Sequence, residues 1–209
     1  MDTITKIWEN EYVKTAIMVI LLIAVVFGFW YGSQLALNTQ YPALAVASGS
    51  MCELPGSYCD GWSHPFERTL HVGDLIIVQR VAAEDIVATP KPDGDIIIFH
   101  QRSAGGDLIV HRAIAKETRP DGKIYFTTRG DGNSATDSVR VPEDYVVGKV
   151  VLRIPWIGRV ALFLHNSSGI FIIIILIVIL VTVEFVIPVF SREKAEVDSR
   201  EKSEKIGET

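Results

Sequence analysis

Between Thr15 and Cys52 the chain carries no Asp, Glu, Lys, Arg or His, and Ala16 to Leu37 is almost wholly hydrocarbon and aromatic. A helix over residues 15–37 rises by roughly 30 Å, enough to cross the hydrocarbon core of a bilayer. This segment is expected to span a membrane. A cleaved signal peptide is the rival reading, because Ala43-Leu44-Ala45-Val46-Ala47 has the small-x-small pattern of a cleavage site. The apolar core exceeds the usual ~7 to 15 residues of such peptides, which favours a retained anchor.

A second apolar run, residues 169–190, is broken only by Glu184 and Pro188. It is expected to form a second, less clean span. Glu184 near its far end reads as an interfacial carboxylate, with an intramembrane functional acid as the alternative. Lys6 and Lys14 precede the first span, Arg192 and Lys194 follow the second, and no Lys or Arg occurs between Leu37 and Arg68. The positive-inside bias therefore predicts a cytoplasmic N-terminus over residues 1–14, a cytoplasmic tail over 191–209, and an extracytoplasmic segment over 38–165. The tail alternates basic and acidic residues with almost no apolar side chain, the composition of a solvated segment.

The segment between the spans is long enough for one small domain with its own core. The 209 residues have a net charge of -5, and their Lys and Arg are scattered, so nothing resembles a nucleic-acid footprint. Leu75–Val78, Ile96–Phe99, Leu108–Val110, Ile124–Thr128 and Val146–Ile154 are β-branched or alternate with a period of two. Turn signals such as Lys91-Pro92-Asp93-Gly94, Ala104-Gly105-Gly106-Asp107 and Pro120-Asp121-Gly122 separate them. The expected fold is mainly β, a barrel or a set of coiled sheets between two membrane helices.

Cys52 and Cys59 flank a Pro/Gly-containing loop in a segment that should face an oxidising compartment, so a local disulfide is the first expectation. Free thiols are the alternative, as is a Cys2His2 zinc site with His64 and His71, although that spacing fits no standard finger.

Ser48-Gly49-Ser50-Met51 follows the first span closely, and a serine becomes a nucleophile only beside a base that a third group orients. Of the five histidines, His64 lies in the cysteine loop and His165 at the start of the second apolar run. His111 directly follows Leu108-Ile109-Val110, a strand on which packing can lock its ring. His100, at the end of the preceding strand, competes with it. Asp131 and Asp137 lie in a Gly/Asn/Ser-rich turn. Each signal alone is weak, and the ordered set is not.

These blocks, together with Thr69-Leu70-His71-Val72-Gly73-Asp74-Leu75-Ile76, Gly94-Asp95-Ile96-Ile97-Ile98-Phe99 and Gly130-Asp131-Gly132-Asn133, run in the order seen in the type I signal peptidases. The chain resembles their archaeal and endoplasmic-reticulum branch. The resemblance implies a signal-peptidase-like catalytic domain of coiled β-sheet in which Ser50 is the nucleophile and His111 the general base, where the bacterial branch has lysine. Ser48 would help to hold the oxyanion with the Ser50 N–H. Asp137 matches the acid that orients the histidine and Asp131 the nearby acid; spacing does not separate them, and Asp137 is the expected partner of His111.

Two departures stand out. Residues 52–64 intervene where the family runs directly into a Pro-containing segment, and Gly132 replaces a common Asn. The implied activity is removal of signal peptides from exported preproteins after small residues at −1 and −3. No cofactor or metal is expected. The expected partners are those signal peptides, the lipid bilayer and the protein-export translocon. Extended substrates commonly add a strand to a sheet edge, and Leu44, Val46, Ile109 and Val110 lead into the reactive residues, so they are expected to line the −1 and −3 pockets. Two rival classes remain: a self-cleaving Ser-Lys β domain of the repressor type, which would need a lysine base in the core strands and a cytoplasmic address, and a noncatalytic tethered binding domain that uses residues 52–71 for recognition, in which Ser50 and His111 would be incidental.

Overall fold

The computed structural model describes residues 11–53, 69–101 and 106–183. The part of the cysteine loop that holds Cys59 and His64, Glu184 with the rest of the second apolar run, and the charged tail lie outside the described residues. Two compact units divide the chain, residues 1–159 and 160–209.

The first unit begins with helix α1 (Glu11–Leu37). Its stretch Val13–Leu37 has a mean hydropathy of 2.4 and none of that window is buried against protein. Apolar side chains exposed on every side of a helix need a nonaqueous surrounding, so α1 is long and apolar enough to cross a membrane. Asn38, in left-handed backbone with φ 51°, ends it. Asn adopts that conformation more readily than most residues and is a frequent helix stop.

Seven strands follow: β1 (Ala43–Ala45), β2 (Leu75–Gln79), β3 (Ile96–His100), β4 (Leu108–Thr118), β5 (Ile124–Arg129), β6 (Val141–Pro142) and β7 (Val146–Ile154). They form one sheet in the order β1-β2-β7-β3-β4-β5-β6, with every neighbouring pair antiparallel. The end strands β1 and β6 do not pair with each other among the described residues, so the sheet is open and not a closed barrel. The five strands read from periodicity are present. β4 continues eight residues beyond its apolar start Leu108–Val110, to Lys116-Glu117-Thr118, because β5 pairs with it as far as Thr118↔Ile124.

Both faces of the sheet are covered. Val46, Met51, Leu70, Ile76, Val78, Ile98 and Val147 make one core cluster. Ile86, Ile97, Phe99, Ala113, Phe126, Val141 and Val146 make the other. Consecutive side chains point to opposite faces, so Ile97 and Phe99 enter one cluster and Ile98 the other. Burial on both sides explains why these strands read as near-continuous apolar runs.

Helix α2 (Gly158–His165) starts at the end of the first unit's sequence, and helix α3 (Ser167–Val181) follows it in the second. Their axes bend by 86° at the break. The described part of α3 is 15 residues, too short alone for a span, so the second transmembrane helix expected over 169–190 is not shown by the described residues.

Candidate active site

Ser50 sits in the tight turn after β1, held from both flanks by the segment 69–74. On one side, the Val46 N–H donates to Asp74 O at 2.9 Å and the Gly73 N–H to Val46 O at 2.8 Å. On the other, the Thr69 hydroxyl donates to Met51 O. Segment 69–74 is itself pinned by the buried Asp74 carboxylate. It accepts from the His71 N–H at 2.8 Å and from Arg153 Nε at 2.5 Å.

A third clamp comes from the loop after β5, where the Gly132 N–H donates to Ser50 O at 2.9 Å. At that approach a Cβ on Gly132 would overlap the Cys52 carbonyl oxygen, and one on Gly130 the Ser50 carbonyl oxygen. Glycine at both positions is a steric requirement of the close approach. The Gly132 departure from the family pattern thus coincides with a contact that excludes a side chain.

The reactive groups meet across this frame. Ser50 Oγ is 3.2 Å from His111 Nε2, and His111 Nδ1 is 2.6 Å from Asp137 Oδ2. An ionised carboxylate only accepts, so the network assigns the proton to Nδ1 and leaves the Nε2 lone pair facing the serine hydroxyl. His111 is 7% exposed and lies edge-on to Phe99 with ring centroids 6.4 Å apart, which fixes its plane on β4. Ser48 Oγ is 3.4 Å from Ser50 Oγ, and the Ser50 N–H makes no hydrogen bond among the described residues. Ser48 is exposed and Ser50 half-buried.

Asp131 does not touch His111. It forms a bidentate pair with Arg112, Nε to Oδ1 at 2.8 Å and Nη2 to Oδ2 at 2.6 Å, and Arg112 Nη1 also donates to Gly94 O. Both side chains are almost wholly buried. The pair ties β4, one residue beyond His111, to the glycine loop that grips Ser50. His100, the competing histidine, turns its Nδ1 to Gly106 O at 2.8 Å.

One participant has no sequence signal. Thr128 on β5 is fully buried and donates to Asp137 Oδ2 at 2.6 Å, the oxygen that His111 also uses. Nothing in Ile124-Tyr125-Phe126-Thr127-Thr128 separates this threonine from its neighbour except which face it occupies.

Of the residues expected to line substrate pockets, Val46 belongs to the first core cluster, with Leu44 and Val110 packed partly exposed against it. Ile109 packs against the second cluster, on the opposite side. Among the described residues, β1 has no strand on its outer edge, and pairing of β4 with β5 starts only at Arg112, so the edge of Leu108–Val110 is also unpaired by strands. Cys52 is buried and disulfide-bonded, and Cys59 lies outside the described residues. No group of three or more potential metal ligands occurs among the described residues.

No protein-family model matches the chain. Among curated proteins, the signal peptidase complex catalytic subunit SEC11 of Tuber melanosporum is 28% identical over 158 residues, 70% of this chain and 75% of that protein. The same subunit of Metarhizium acridum is 28% identical over 154 residues, 70% of this chain and 77% of the relative. The human subunit SEC11C is 28% identical over 145 residues, and the alignment spans 66% of this chain and 64% of the human protein. The chain is a homologue of these signal peptidase complex catalytic subunits.

Proposed function

We propose that this chain is a membrane-bound serine endopeptidase that removes N-terminal signal peptides from exported preproteins. The observation that carries the reading is the continuous Ser50–His111–Asp137 relay at 3.2 and 2.6 Å. In this reading His111 Nε2 takes the Ser50 proton as Oγ attacks the scissile carbonyl, and Asp137 stabilises the imidazolium that results. The Ser48 hydroxyl and the Ser50 N–H receive the developing oxyanion, each donor worth about 3 kcal/mol in such sites. His111 then returns the proton to the leaving amine, and water activated by the same base hydrolyses the acyl-enzyme.

The substrate enters as an extended strand against the free edges of β1 and the start of β4, satisfying backbone groups without reading sequence. Leu44, Val46 and Val110 shape the shallow pockets for small residues at −1 and −3, and Ile109 supports the strand from its other face. Both termini are cytoplasmic, the sheet is extracytoplasmic, and the second apolar run returns the chain through the bilayer. The Cys52–Cys59 disulfide closes the loop beside the nucleophile, and the export translocon delivers the substrate.

Membranes containing the full chain are expected to process a precursor with a small-x-small site, and membranes containing Ser50→Ala to leave it intact. Equal processing by the two would overturn the reading, and absence of processing by folded wild type would favour a tethered binding domain.

A further inference from the structure

Helix α1 is longer than a bilayer core requires, and a cavity opens beside the surplus. Its apolar span covers 25 residues. That length rises by about 37 Å against a hydrocarbon thickness of about 30 Å, so the last turns stand in the headgroup layer. Trp30 and Tyr31, both exposed, mark the depth at which aromatic side chains meet a membrane interface. Tyr31, Gln34, Leu35 and Asn38 follow at i, i+3, i+4 and i+7, and so share one helix face. That face forms one wall of a cavity of about 570 Å³, and the sheet supplies the other with Arg80 and Val146.

The cavity wall carries one cation, Arg80, and one carboxylate, Asp144. The Arg80 N–H donates to Leu37 O at 3.0 Å, joining the end of β2 to the end of the helix. Its exposed guanidinium makes no ion pair among the described residues. Asp144, the acid on the cavity wall, is taken by Lys123. His100 is occupied through Nδ1 by Gly106 O and lies edge-on to Tyr41. What remains is a planar cation with a fork of donors in a cavity whose lining includes the apolar Leu35 and Val146. A guanidinium fork matches phosphate oxygens, and the apolar lining matches the glycerol and first methylenes beneath a lipid headgroup.

We propose that this cavity binds the phosphodiester headgroup of an anionic phospholipid, with Arg80 as its charge partner. The inference rests on the reading that α1 spans a bilayer. Free phosphate would satisfy Arg80 but not cover Leu35, which is 84% exposed beside it. An occupied cavity would fix the height of the sheet above the membrane at the point where helix and sheet join.

The test uses the full chain in detergent micelles doped equally with phosphatidylglycerol and phosphatidylcholine, with retained lipid counted by native mass spectrometry. Wild type is expected to retain phosphatidylglycerol about fivefold over phosphatidylcholine, the ratio that one basic side chain near an anionic surface supplies. Arg80→Gln should bring the ratio close to one, Arg80→Lys, which keeps the charge without the fork, should retain part of the preference, and the remote Arg119→Gln should keep it whole. An unchanged ratio in Arg80→Gln, equal retention by wild type, or displacement of the lipid by inorganic phosphate would each overturn the proposal. Flotation of the chain with phosphatidylcholine vesicles separates the two readings. A chain that floats but shows no headgroup preference loses only the cavity proposal, and a chain that does not float loses the span and the proposal together.

Discussion

Thr128 and Asp137 clasp each other twice: the threonine hydroxyl donates to Asp137 Oδ2 at 2.6 Å, and the Asp137 N–H returns a bond to Thr128 O at 2.9 Å. The side-chain half of that clasp aims the carboxylate at His111. Thr128→Val keeps shape and burial while removing the donor. A hydrogen bond to a charged group is worth about 1.5 to 3 kcal/mol, so kcat/KM for precursor cleavage should fall roughly tenfold to a hundredfold with KM little changed. Thr127→Val, one residue away on the other face, should be close to neutral in the same assay.

Asp131→Asn leaves Arg112 buried without its counter-charge. Breaking a buried pair from one side costs about 3 to 5 kcal/mol, and denaturant unfolding in micelles should register a loss of that size. A folded Asp131→Asn protein should also lose cleavage, because the pair holds the glycine loop against Ser50. Full activity at reduced stability would confine Asp131 to a structural role.

Gly132→Asn restores the residue common in the family, yet here it should damage the enzyme. The new Cβ would overlap the Cys52 carbonyl oxygen and push the loop that accepts the Gly132 N–H. A drop of at least about tenfold in precursor cleavage is expected, as from a small displacement of reacting groups. Wild-type cleavage by this variant would show that the loop relaxes freely.

Glu117 supplies a pH-dependent test of stability. A hydrogen bond from Arg140, and then one from Arg119, hold its carboxyl below the ordinary 4.5. A depressed acid contributes stability that is present above its unfolded pKa and is lost as pH falls through the folded value. Comparing Glu117→Gln with wild type by thermal unfolding should show a small deficit at neutral pH that vanishes in acid. A deficit that grows with acidity would have the wrong sign.

Much of the sheet was legible because strands buried on both faces leave long β-branched runs, as in Ile96-Ile97-Ile98-Phe99 and Val146–Ile154. β1 and β6 were not, since strands of three and two residues are set by a partner's edge and carry no period of their own. The order Ser50, His111, Asp137 could be read from motif blocks, but spacing could not choose between Asp131 and Asp137. Folding makes that choice: Arg112 captures Asp131, and the turn after it carries Asp137 back to Thr128. Closure of the sheet into a barrel was equally beyond reach, because it depends on whether two end strands find each other.

The three reactive groups are separated along the chain by 61 and then 26 residues. No local folding event brings them together. Contacts this distant in sequence carry a loop-closure cost and form late. On the proposed mechanism, Ser50 is an ordinary alcohol until the chain through Asp137 has been made and packed, and a partly synthesised copy has no means of attacking the peptide bonds around it.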